Sequence, residues 1–378
     1  MKVFLPEYEI EESKEEFPPF SIPDFVTLME EFIGIAKPLK NDIPTILGSY
    51  DNLGIVGIGG SQVQALVLRP HTEVAVTHLE VPDPYILSNL VNLDTDRTRI
   101  LYISRSGTTK EVLSFVPFLQ RFSSLVVTNG GALLEIANEL DFPVVKVSHD
   151  VSGRFAIQNE LGIVPMIAMG IDPVEFLTSL KDGYEEYFKE SSAADRAATC
   201  IYYLEKSSIA KMRICTSGYY LQGLGILLTQ LVNESTPKKE TDTLDSSLHF
   251  MPRGAHSDLQ RWYGGKKDSF LFSLVCESYG SDITSPSYPP SISDLIPGLS
   301  ISASTNLNIT SHAVEDTFPG PVFRLVLDKD SLAETARCVG FLHALTVRLC
   351  QLKQSNPFDQ PAVQKYKDRA TYIYQEYD

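Results

Sequence analysis

Short apolar runs, each followed by a turn and a longer amphipathic stretch, set the rhythm of this chain from residue 53 onward. β-Branched runs at 54–58, 74–79, 99–104, 125–128 and 144–147 predict strands, with helices between them. Strands alternating with helices imply βαβ units on a parallel sheet covered on both faces. A helix over 24–35 precedes this series, and a surface helix over 173–190 closes it. A second round follows, with helices at 195–206 and 219–231 and strands at 212–216, 270–276 and 323–327. From Ser331 to about Leu352, apolar residues recur at Cys338, Phe341, Leu342, Leu345, Leu349 and Leu352, which is helical spacing. Residues 280–304 are rich in Ser and Pro and predict a long excursion between elements. A short helix ends the chain. The expected fold class is α/β, with two doubly wound parallel-sheet domains and a helical tail. The expected division is an N-terminal helical extension over 1–50, a first domain over 51–195, a second over 196–352 and the tail over 353–378.

Composition changes this picture little. With 378 residues, 43% hydrophobic and 21% charged, the chain has the balance of a globular protein. Its net charge of −16 repels phosphate backbones and anionic membrane, so neither nucleic acid nor membrane is an expected partner. An anionic substrate would need a local cationic or amide-rich pocket to overcome that field. Five scattered cysteines without a CxxC pair argue for a reducing compartment, and against a disulfide framework or structural zinc. Residues 1–16 are acidic and carry no secretory pattern. The longest apolar run, 161–171, is broken by Pro165 and is too short to span a bilayer. A soluble, cytoplasmic protein is expected.

Two loops carry phosphate-binding chemistry. In the first, a buried strand runs into Gly57-Ile-Gly-Gly-Ser61, and a helix begins at about Gln62. Glycines such as Gly60 let backbone approach a ligand, the helix start offers unpaired N–H groups, and Ser61 adds a hydroxyl. The pattern is not a dinucleotide fingerprint, because the third glycine and a ribose-binding acid are missing. In the second, Ser104-Arg-Ser-Gly-Thr-Thr-Lys-Glu111 places the hydroxyls of Ser104, Ser106, Thr108 and Thr109 around Gly107, with Arg105 beside them. Thr108 and Glu111 have capping-box spacing, which predicts a helix start. Hydroxyls at a helix start suit a phosphate monoester without a metal.

These loops resemble the sugar-isomerase (SIS) domain, a doubly wound, flavodoxin-like unit that binds phosphorylated sugars. Four further stretches narrow the resemblance: Val151-Ser-Gly-Arg-Phe-Ala156, Gln230-Leu-Val-Asn-Glu-Ser235, Gly254-Ala-His-Ser-Asp-Leu-Gln260 and Asn356-Pro-Phe-Asp-Gln-Pro-Ala-Val-Gln-Lys-Tyr-Lys367. In this order the chain resembles the phosphoglucose isomerase family, in the short form found in some archaea and bacteria, from about Leu53 to Lys367. The resemblance implies an aldose–ketose isomerase that acts through a cis-enediol(ate), without cofactor or metal.

It also implies roles. Glu234 matches the family's base, a carboxylate that moves a proton between neighbouring carbons. Arg154 matches the arginine that stabilises the enediolate. His256 matches the ring-opening histidine, Lys367 its partner and Gln360 a substrate contact. That histidine crosses a dimer interface in the family, so an obligate homodimer is implied. Three features depart from the usual pattern: Arg105 replaces a common lysine, Ser152 a common glycine or proline, and Ser235-Thr-Pro-Lys238 after the base is unusual. The rival readings are a dual phosphoglucose/phosphomannose isomerase and a non-catalytic sugar-phosphate sensor. The sensor would have no reason to keep Glu234, Arg154, His256 and Lys367 together.

Overall fold

The computed structural model describes residues 1–6, 18–284 and 301–376. Ten strands form among these residues: β1 (Lys2–Phe4), β2 (Asn52–Val56), β3 (Ala75–Leu79), β4 (Thr98–Ile103), β5 (Ser123–Val127), β6 (Val144–Val145), β7 (Lys211–Ser217), β8 (Asp245–Met251), β9 (Ser269–Cys276) and β10 (Val322–Leu327). The chain folds as two compact units, one of Ile22–Lys181 with Phe358–Asp378, the other of Met1–Ser21 with Asp182–Pro357.

The first unit is built on an all-parallel sheet of order β3-β2-β4-β5-β6. Its central strands are buried on both faces, which is why residues 53–56 and 100–103 read as unbroken apolar runs. Val56, Ile100, Tyr102, Phe115, Leu119, Phe122 and Val126 share one core cluster. The helix expected over 24–35 is a short turn, Asp24–Thr27, followed by Met29–Leu47. Pro38 and Pro44 hid this longer extent, but the buried stripe of Phe32, Ile33, Ala36, Ile43 and Leu47 continues through both. Helix Glu160–Ala168 is buried on every side, so its apolar run is core rather than membrane span.

The second unit repeats the plan with the order β1-β10-β9-β7-β8. Four strands are parallel, and β1 adds an antiparallel edge on β10. Helix Leu332–Leu352 starts as the spacing predicts: Ser331 Oγ accepts the Glu334 amide at 3.2 Å, and nearly every residue along it is buried. Two strands escape the sequence pattern. β1 has only three residues, and β8, at the sheet edge, runs through four successive half-buried positions without an apolar stretch. The expected excursion over 280–304 falls largely on 285–300, outside the described residues; helix Ala303–Thr317 follows it. The five cysteines are buried and form no disulfide. No described helix is long and apolar enough to cross a membrane.

Both expected doubly wound parallel sheets and the helical tail are therefore present. In each sheet the first parallel strand, β2 or β7, has its two successors on opposite sides. That reversal opens a crevice at the carboxyl ends of the strands, where such sheets place ligands.

Candidate active site

In the first unit both glycine- and hydroxyl-rich loops lie at this reversal, after the neighbouring strands β2 and β4. Gly59 takes φ +58° and caps helix Gly60–Leu68. A methyl group added at Gly60 would stand 2.4 Å from the carbonyl carbon of Gly153, so only glycine lets this loop lie against the Gly153–Arg154 backbone. Gln64, buried one turn into the helix, donates from Nε2 to the Gly153 carbonyl at 2.7 Å. Sequence reasoning missed this tie. The signal was available, since Gln62 and Gln64 are polar positions inside an otherwise apolar helix.

The second loop is held as tightly. Gly107 has φ +63°, and a methyl group there would overlap the Gly130 carbonyl oxygen. Ser104 is buried and its amide donates to Val127 O at 3.1 Å. The hydroxyls pair across the loop, Ser104 Oγ with Thr109 Oγ1 at 2.9 Å and Ser106 Oγ with Thr108 Oγ1 at 3.0 Å. The expected capping box of Thr108 and Glu111 does not form. Thr109, one residue later, occupies the cap of helix Lys110–Leu113, and its hydroxyl goes to Ser104 instead of the helix backbone. Arg105 ion-pairs with Asp150 and donates from Nη1 to Val151 O at 3.2 Å, which ties this loop to the segment leading into Arg154.

Both loops therefore converge on residues 150–154. Arg154 is 1% exposed and is among the largest fully buried side chains. Its Nη1 donates to Ser152 Oγ at 3.2 Å and its Nη2 to the Asp359 carbonyl at 3.1 Å. Phe358 packs edge-on to Phe155 at 5.2 Å, so the tail stretch beginning Phe358-Asp-Gln360 docks beside the arginine. Gln360 caps the short turn Pro361–Val363 and is half-buried. Lys367 is exposed on helix Gln364–Gln375. A buried guanidinium beside two amide-rich loops supplies the local positive field that a chain of this charge needs for an anion.

Glu234 and His256 belong to the second unit, on separate elements. Glu234 is half-buried near the end of helix Gln222–Ser235, where Gln230 Nε2 donates to its Oε1 at 2.8 Å. The unusual Ser235–Lys238 stretch does touch its surroundings: Lys238 Nζ donates to the Glu234 carbonyl at 3.0 Å. The Lys238 and Lys239 amides both donate to Asp242 Oδ2, at 2.7 and 2.8 Å. His256 is exposed on the short helix Arg253–Ser257. Among the described residues no group of three His, Cys, Asp or Glu side chains is placed to hold a metal ion.

No family model matches the chain. It is 24% identical over 347 residues to a glucose-6-phosphate isomerase of Methanocaldococcus jannaschii, covering 85% of this chain and 84% of that protein. A glucose-6-phosphate isomerase of Mycoplasma capricolum is 24% identical over 379 residues, covering 90% of this chain and 85% of its own. The chain thus resembles proteins named glucose-6-phosphate isomerase over most of its length and most of theirs. A solved glucose-6-phosphate isomerase from Chlamydia trachomatis has the same fold, with a TM-score of 0.75 at 17% identity over 93% of this chain and 74% of that one. The family resemblance spans both units and is not confined to the phosphate loops.

Proposed function

We propose that this chain interconverts glucose 6-phosphate and fructose 6-phosphate through a cis-enediolate. The observation that carries this reading is the convergence of both phosphate-type loops on a buried arginine, in a chain whose relatives bear that enzyme's name. The hydroxyls of Ser61, Ser104, Ser106, Thr108 and Thr109 and the backbone at Gly60 hold the phosphate, and Arg105 keeps their loop in place. Glu234 takes the proton from C2 and returns it to C1. Arg154 stabilises the negative oxygen that develops between these steps, and Gln360 contacts the sugar. His256 and Lys367 open the ring, with proton transfer at the ring oxygen and the anomeric hydroxyl.

A coupled assay with fructose 6-phosphate tests the reading directly. Turnover should survive prolonged chelation and should greatly exceed that with mannose 6-phosphate. Equal turnover of the two sugars would favour the dual isomerase, and no turnover of either the sensor.

Thr109→Val breaks the Ser104–Thr109 hydroxyl pair and removes a donor from the phosphate loop. The phosphate is bound alike in ground and transition states, so KM should rise by more than kcat falls. An unchanged KM would place the phosphate elsewhere. The working form is a cytoplasmic homodimer in which His256 serves the partner subunit's Glu234. Mixing Glu234→Gln chains with His256→Ala chains should then restore part of the lost activity after subunit exchange. If exchange occurs without recovery, each site is made by one chain.

A further inference from the structure

The short helix that carries His256 has an anchor that the proposed chemistry does not use. Helix Arg253–Ser257 leaves the end of β8, and Asp258 caps it. Asp258 Oδ2 lies 2.7 Å from Nδ1 of His249, which stands on β8 itself. His249 Nε2 lies 2.9 Å from Ser247 Oγ, two residues back along the strand. Arg213 Nη1, on the neighbouring strand β7, donates to the same Ser247 oxygen at 2.8 Å.

These four groups fix one direction for the protons. The Asp258 carboxylate can only accept, so His249 Nδ1 carries the proton and donates to it. In the neutral ring Nε2 then accepts from the Ser247 hydroxyl, whose oxygen accepts from Arg213. Burial lowers the His249 pKa, in keeping with the neutral ring. Trp262 stands edge-on to His249 at 4.8 Å and closes one side. Order and spacing resemble a Ser–His–Asp nucleophile relay, but Arg213 holds the serine oxygen and Trp262 covers the base. The arrangement is a brace.

Close packing at Gly254 supports this. A methyl group there would stand 3.3 Å from His249 Cβ and 3.5 Å from Asp258 Oδ2. The helix therefore lies against β8 at His249, and Asp258 pins its far end. His256, two residues before that pin, is exposed on this turn, as are Arg253 and Ser257.

We propose that His249 and Asp258 are positioning residues for His256, holding its helix on β8 so that ring opening can occur. This rests on the assignment of ring opening to His256, and the test separates the two ideas. Glucose 6-phosphate must be opened. A 4,5-dideoxyhexose 6-phosphate with the glucose configuration at C2 and C3 has no hydroxyl from which to close a five- or six-membered ring, yet it keeps the C2 proton. Exchange of that proton with deuterated solvent reads enolisation alone.

Small misplacements of a catalytic group can cost on the order of 10²-fold, so His249→Leu should lower turnover of glucose 6-phosphate at least about tenfold and leave dideoxy exchange within about twofold. His249→Asn, which keeps an amide donor toward Asp258, should recover most of the loss. Asp258→Ala, at a more exposed position, should repeat the split if His249→Leu fails to fold. His256→Ala is the control and should show the largest split. If His256→Ala separates the two substrates while His249→Leu and Asp258→Ala slow both equally, the brace is merely structural and the proposal falls. If His256→Ala does not separate them, ring opening belongs to another residue and the proposal falls with that assignment.

Discussion

Glu234→Gln should lower kcat by at least about three orders of magnitude while sugar-phosphate affinity is kept, because general base catalysis is typically worth about 10²–10⁴ and this is the only enolising base in the mechanism. Glutamine keeps the size of the side chain and can still pair with Gln230, whose Nε2 reaches Glu234 Oε1 at 2.8 Å. Lys238 bonds the Glu234 backbone carbonyl, so that anchor is untouched by the change. The variant loses the basic oxygen and can keep both of these contacts. Exchange of the C2 hydrogen of glucose 6-phosphate with deuterated solvent should vanish in parallel with turnover. If exchange persisted at a near-normal rate, the proton would be moved by another group, and the family role assigned to Glu234 would be wrong.

What could be read ahead of the structure follows from periodicity. Strands buried on both faces announce themselves as apolar runs, so β2, β4, β5, β7, β9 and β10 were legible, and with them the two doubly wound sheets. The loops after β2 and β4 were legible because glycine and clustered hydroxyls mark the end of such strands. Elements without a periodic signal were not. β1 is defined only by backbone pairing with residues 324–326, far along the chain. β8 lies at the sheet edge with mostly half-buried positions, and its Asp-Ser-Ser start reads as loop.

The same limit applies to side chains that act through distant partners. Arg105 reads in the sequence only as a ligand contact, and its ties to Asp150 and Val151, 45 and 46 residues on, have no local signal. Local spacing suggested that Thr108 would cap a helix, but the hydroxyls found each other first. His249 and Asp258 show the case most plainly. His249 stands in no motif, Asp258 stands in the 254–260 stretch without an assigned role, and only the return of the chain onto β8 brings them within 2.7 Å. Motif spacing reports what neighbours along the chain can do, and the tertiary ties that aim those residues have to be seen.

Arg154→Lys is the second large expected effect, and it shows why charge alone does not describe this position. The guanidinium is buried and serves Ser152 Oγ and the Asp359 carbonyl through different nitrogens. Its planar fork holds both through separate nitrogens and keeps a positive charge beside the loops for a developing oxyanion. An ammonium has three donors on one nitrogen and cannot span the same partners. Leaving buried acceptors unsatisfied costs about 1–3 kcal/mol of stability, so a lower melting temperature is expected as well. The larger effect should be on chemistry. Loss of one well-aimed oxyanion donor typically lowers kcat by about 10²–10³. Two inhibitors separate that loss from a general loosening of the site. Sorbitol 6-phosphate has the phosphate and no carbonyl, and its affinity should change by only a few-fold. A hydroxamate that mimics the enediolate should lose affinity in proportion to kcat, because it tracks the transition state. Equal weakening of both ligands would mean that Arg154 only holds the tail beside the loops, and that the enediolate charge is met by another group.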